Sequence, residues 1–164
     1  MNTFRLMPFL ALLGMLLFSC STEEMPDETI APAALVEAPT AKTIEIEILE
    51  RINNHRIGIG LNALNNLGII KSVAHTHTDY MVEINEVNHD NFIQRKNSLV
   101  QHADALTVSE NVAYGYNSAE AVVNAWLNSE GHRANLEGNY TDFEISAEQN
   151  SEGRWFYTNI FIKK

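Results

Sequence analysis

The side chains that could do chemistry in this chain are few. There are six histidines, His55, His75, His77, His89, His102 and His132, and a single cysteine, Cys20, set among twenty-one Asp and Glu residues. No Gly-x-Ser-x-Gly elbow and no His-Glu-x-x-His helix occurs, and the cysteine stands at the end of an N-terminal apolar segment, so no recognisable nucleophile is present. What remains is imidazole and carboxylate chemistry, either metal ligation or proton transfer. Neutral imidazole is the commonest zinc ligand. A glutamate can ligate directly, or accept the other ring N–H and so fix the tautomer. His75 and His77 would lie on different faces of a helix and suit a shared metal poorly. His77 shares an apolar stripe with Ala74 and Met81 and reads as a satisfied core histidine, whereas His55 and His102 sit in polar surroundings and read as solvent residues. His89 and His132 are forty-three residues apart. Only the fold can bring them together.

The elements that must do this positioning are legible in outline. Thr43 is a plausible cap for a helix in which Ile44, Ile48, Leu49 and Ile52 recur at three- and four-residue spacing, fading by Arg56 before Gly58 and Gly60. Asn65 and Asn66 introduce a second helix, with Leu67, Ile70, Ala74, His77 and Met81 on one face, ending near Asn85. From Val87 to Glu110 no period dominates, and only a short helix around Phe92 to Val100 is expected. Ser118 can cap a third helix with Glu120 in its first turn and Ala121, Val122, Ala125 and Trp126 inward; Asn128 to Gly131 should break it. Beyond Gly138 the pattern alternates. Phe143, Ile145 and Ala147 face one way, the turn Asn150 to Gly153 reverses the chain, and Trp155 to Ile162 returns apolar on both faces. That returning strand belongs in the middle of a sheet with helices on both sides, which predicts an α+β layered domain.

The N-terminal end reads differently. Arg5 precedes an apolar run from Leu6 to Phe18, the pattern of an export signal and too short for a permanent membrane span. Leu16-Leu17-Phe18-Ser19-Cys20 resembles the lipobox of bacterial lipoproteins, in which the cysteine is lipidated and becomes the new N-terminus; the alternative is an ordinary signal cut near Ser19 that leaves a free thiol. Residues 1–19 are thus expected to be a signal peptide. Residues 20–42 would be the lipidated Cys20 and an acidic tether rich in Ala, Pro, Glu and Thr. Residues 43–164 would be the folded domain. Glu23-Glu24 is either a sorting signal toward the outer surface or a solvated linker pair. With Cys20 used as an anchor the domain has no disulfide. The net charge of −10 would repel nucleic acid and anionic headgroups. Attachment to a membrane would therefore come from acyl chains on Cys20.

Three segments, in order, make the reading specific: Asn88-His89-Asp90-Asn91-Phe92, Ser109-Glu110-Asn111-Val112-Ala113-Tyr114-Gly115, and Ala125-Trp126-Leu127-Asn128-Ser129-Glu130-Gly131-His132-Arg133-Ala134-Asn135-Leu136. Together with the terminal hairpin they resemble the CAP superfamily of cysteine-rich secretory proteins, antigen 5 and pathogenesis-related proteins (SCP-like), in its disulfide-free bacterial form. The resemblance covers about Thr43 to Lys164. It implies a three-layer α-β-α sandwich with a central cleft holding two histidines and two acids, where some members bind a divalent metal such as zinc. Carried over, the histidines are His89 and His132 and one acid is Glu110. The second acid falls on or near Glu130, where many bacterial members have proline, so Glu130 either completes the set or fills a surface turn.

Two histidines alone predict a weak, exchangeable metal whose binding weakens as pH falls through the imidazole range. The alternative is a pair of hydrogen-bonded cleft histidines with a structural task. Asn111 and Asn135 can tie loop backbone to the cleft. Trp126 and Trp155 read as core, and Arg133 as an anion ligand or a surface ion pair. Three functions follow. One is a binding module for a small-molecule, glycan or protein ligand at the cell envelope or outer surface. A second is a metal-dependent hydrolase in which Glu110 or Glu130 moves protons. The third is lipid or sterol carriage, disfavoured because the apolar helix faces are committed to the core.

Overall fold

The computed structural model describes Glu37 and residues 39 to 164, all within the unit Ala31–Lys164. The expected signal segment, Cys20 and most of the tether lie outside the described residues.

Helix α1 spans Thr43–Gly58. Lys42, rather than Thr43, is its N-cap, and only the returning half of a capping box forms, the Glu45 carboxylate accepting the Lys42 backbone N–H at 2.7 Å. The Asn65–Asn66 pair forms a two-residue strand, β1, instead of opening the next helix, and α2 runs over Gly68–Ile84. Asn85 ends α2 in the left-handed conformation (φ 54°), which an asparagine tolerates better than most side chains. α3 spans Phe92–Ala103 and β2 spans Thr107–Tyr114. α4 covers Ala119–Asn128, with the Ser118 hydroxyl accepting the Ala121 N–H at 3.1 Å, and α5 covers Glu130–Leu136. β3 (Asp142–Gln149) and β4 (Trp155–Lys163) are the hairpin. In its turn the Asn150 side-chain oxygen accepts the N–H groups of Glu152 and Arg154, and Gly153 takes a positive φ of 76°.

The sheet order is β1-β3-β4-β2, with β4 antiparallel to both neighbours. The two-faced apolar character of β4 is resolved by its position. Tyr157 and Phe161 join Phe143, Ile145 and Ala147 of β3 in a core closed by Ile48 and Ile52 of α1, Val122 and Trp126 of α4, and Leu136 of α5. The alternate residues Ile160 and Ile162 pack with Ile70 and Ala74 of α2 and Leu99 of α3, while Phe156 meets Met81. This is a three-layer α-β-α sandwich.

Because β1 pairs only with Asp142 and Phe143, the rest of the outer edge of β3 has no strand beside it. Side chains occupy it instead. The buried Glu45 carboxylate (1% exposed) accepts the Ala147 N–H at 2.8 Å, and the Lys71 ammonium donates to the Ile145 carbonyl at 3.1 Å and to Glu45 at 2.8 Å.

Candidate functional site

β2 is the opposite edge of the sheet. Alternation along a strand sends Glu110 and Asn111 to opposite faces, so consecutive residues address different helical layers. Toward α2 and α3, the Glu110 carboxylate is gripped by Arg95 through two hydrogen bonds, Nε to Oε2 at 2.8 Å and Nη2 to Oε1 at 2.7 Å. His89, on the loop between those helices, places Nδ1 2.8 Å from Glu110 Oε1, and the His77 Nε2 lies 4.0 Å from the same oxygen. Toward α5, the Asn111 amide donates to the His132 carbonyl at 3.0 Å, while the Asn135 amide reaches Asn111 Oδ1 at 2.8 Å and the Glu110 carbonyl at 3.3 Å. The two asparagines thereby fasten the helix that carries His132 onto the strand that carries Glu110. That is the tying role expected of them.

Electrostatics follow from this packing. Burial pushes the Glu110 carboxyl up, but hydrogen bonds from His89 and Arg95 and the guanidinium charge outweigh it and hold the group below its ordinary value. Burial lowers His77, and the Arg95 charge lowers it further. His132 is also lowered, first by burial and then by the charge on His89. His89 itself keeps 52% of its side chain exposed and lines a small cleft of about 280 Å³ with Phe92, Val108, Ser109 and Glu110.

The residues picked out from sequence therefore separate. His89 and Glu110 are in contact, whereas His132 is half-buried on α5, where its backbone carbonyl meets Asn111. Glu130 is exposed at the first position of α5, outside the hydrogen-bonded group. His77 is buried as expected (2% exposed), with Nε2 2.9 Å from the Asn88 carbonyl, yet it also borders Glu110. Arg95 is the member of this hydrogen-bonded group that sequence does not reveal: it lies on α3 beside Lys96, and no spacing distinguishes one from the other. His55 is no free solvent residue, since its Nε2 meets Glu137 at 2.9 Å; His102 is exposed and bonds the Ser98 carbonyl. Trp126 is core and donates its indole N–H to the Val112 carbonyl at 3.2 Å. The helix faces are less fully committed than expected: Ile46 and Ile57 stay exposed beside an open groove of about 740 Å³ that Asn53, Asn66 and Glu144 also line.

The family model described as the cysteine-rich secretory protein family, CAP, matches residues 49–161. The chain belongs to this family. CAP relatives include two proteins of Bacillus subtilis (strain 168). The uncharacterized membrane protein YlbC is 35% identical over 144 residues (84% of this chain, 40% of the relative), and the uncharacterized protein YkwD is 28% identical over 151 residues (88% and 54%). The chain thus spans about half or less of the length of these relatives. Among solved structures, an outer surface protein of Borrelia burgdorferi superimposes with a TM-score of 0.67 at 21% identity, covering 79% of this chain and 99% of that one. An extracellular SCP-domain protein of Bacillus anthracis gives 0.63 at 28% identity, covering 73% and 40%. The CAP sandwich expected from the three sequence segments is therefore the fold of this chain.

The described residues also hold one grouping with metal-ligand spacing that sequence does not single out, His75, Asp79 and Glu148, at the far edge of the sheet from His89. Among the described residues no helix is long and apolar enough to cross a membrane.

Proposed function

We propose that the chain is a lipid-anchored CAP module of the cell envelope that holds a ligand in the cleft at His89. In this reading the cleft also takes an exchangeable divalent metal, zinc being the best chemical match, through His89 and His132. The observation that carries the reading is the contact between Glu110 and His89. An ionised carboxylate only accepts hydrogen bonds, so in the neutral His89 ring the proton sits on Nδ1 and Nε2 keeps its lone pair for a ligand. Arg95 keeps Glu110 ionised for this task. The depressed pKa of His132 favours its neutral ring, the form in which imidazole binds metal.

When bound, such an ion supplies Lewis acidity and a point of attachment for an anionic or carbonyl group of the ligand. Binding is favoured over hydrolysis because both Glu110 oxygens are occupied by Arg95 and His89, which leaves no poised base there and only the exposed Glu130 as a proton carrier. A cleft of about 280 Å³ takes a small molecule, or a single side group of a glycan or protein ligand. The envelope location rests on the Cys20 segment and on relatives named as outer surface, extracellular and membrane proteins.

Calorimetric zinc titration near neutral pH tests the reading, with the full chain compared to a double variant, His89→Ala with His132→Ala, and to Glu110→Gln. The wild type is expected to show a saturable site that the double variant lacks and that Glu110→Gln weakens about 10- to 100-fold by freeing the His89 ring. A titration indistinguishable between wild type and double variant would remove the metal from the cleft and leave a metal-free binding module.

A further inference from the structure

Across the sheet from the cleft, α2 and the end of β3 bring together a second set of ionisable side chains. His75 and Asp79 are one helical turn apart, with Nε2 3.4 Å from Asp79 Oδ2, and His75 Nδ1 is 3.5 Å from Glu148 Oε1. One ligand atom of each residue lies within 4.8 Å of the other two. The His75 side chain is only 14% exposed, and its Nδ1 is buried without a hydrogen-bond partner. Glu148 also pairs with Lys42, the residue that caps α1.

We propose that His75, Asp79 and Glu148 form a divalent-cation site of the zinc class, independent of the cleft, in which the Lys42 ammonium is the resident counter-charge that an entering ion displaces from Glu148. The geometry favours this over a plain hydrogen-bonded network. Contacts of 3.4 and 3.5 Å lie beyond the range of good N–H···O bonds, so the buried ring is held between two carboxylates without bonding either well. A single ion takes only one of the two ring nitrogens: the 3.5 Å from the unpartnered Nδ1 to Glu148 matches the roughly 3.3–3.6 Å between ligand atoms of a tetrahedral ion with bonds of about 2.0–2.2 Å, and one atom from each of the three residues lies within 4.8 Å of the others. Asp79, 57% exposed, is free to turn inward and complete the set.

The donor chemistry points the same way. One imidazole and two carboxylates suit zinc or a similar first-row ion, whereas calcium takes six or more oxygens. The carboxylates also strain against each other. Asp79 and Glu148 each bring a carboxylate oxygen within 4.8 Å of the other, with the His75 ring between them. Two positive charges on an ion relieve this repulsion better than the single charge of Lys42. Because Lys42 leads into α1, occupancy of the site is linked to the hold on the segment that precedes the domain.

The test is zinc calorimetry on the full chain with Cys20 replaced by serine throughout, so that no thiol competes. In a background of His89→Ala and His132→Ala, which silences the cleft, one zinc site is expected to remain. Adding His75→Gln and Asp79→Asn should abolish it, and adding Lys42→Met instead should tighten it several-fold, with circular dichroism confirming that each variant folds. No zinc binding in the cleft-silenced protein, or binding that persists after His75→Gln and Asp79→Asn, overturns the proposal. Either result leaves the cleft reading untouched, because that is judged by the site the first pair of substitutions removes.

Discussion

Arg95 shows how much of this site depends on a residue with no outward sign of importance. It satisfies both oxygens of a carboxylate buried between strand and helix, and its Nη1 also donates to the Asp90 carbonyl at 2.5 Å. Arg95→Ala leaves Glu110 buried with one hydrogen bond, from His89, and His77 4.0 Å away. A loss of about 3–5 kcal/mol is expected in urea unfolding. Arg95→Lys keeps the charge but not the two-pronged grip, and should fall in between. Glu144 presents the opposite case. Burial raises its carboxyl despite a 2.8 Å hydrogen bond from Asn66, so ionisation is costlier in the folded chain than in the unfolded one. That cost is complete above the raised folded value and vanishes below the unfolded one. Glu144→Gln should therefore unfold at a higher temperature than wild type at neutral pH, with the gain shrinking as pH falls through the carboxylate range. Sequence discloses His89, Glu110 and His132 because each sits in a distinctive string; Arg95 and Glu144 sit in none.

At the scale of elements, the parts legible in sequence are those whose side chains repeat with a period. α1, α2, α4 and the β3–β4 hairpin each carry one apolar stripe or alternation. β2 does not, because Ser109, Glu110 and Asn111 interrupt its apolar residues with the polar groups the site requires. α5 escapes notice for a related reason: it is seven residues long, buries only Leu136, and contains Gly131 and Asn135, which argue against a helix. In both, polar residues of the candidate site break the pattern. The capping of α4 is visible from sequence and can be measured. Ser118→Ala should cost about 1 kcal/mol in chemical denaturation, and Ser118→Gly only a few tenths, since glycine is tolerated at that position. Equal losses for the two would mean that the hydroxyl is not what begins the helix.

For the whole molecule, the three-layer arrangement is foreshadowed by β4, whose apolar residues on both faces admit no solvent-facing side. What the pattern does not disclose is the treatment of the sheet's rim, because hydrogen bonds from Glu45 and Lys71 to strand backbone depend on residues distant in sequence. An anchored envelope protein would be confined to a plane, where copies meet far more often than in free solution. A bare strand rim under such crowding is a template on which neighbouring molecules zip together into extended aggregates. The Glu45 carboxylate and Lys71 ammonium cover that template on β3. Glu45→Ala is therefore expected to turn a monodisperse protein into one whose light scattering climbs with concentration; scattering that stays flat would mean the rim is guarded by something else. A pair of charges inside the fold would then be what keeps a dense layer of these molecules fluid.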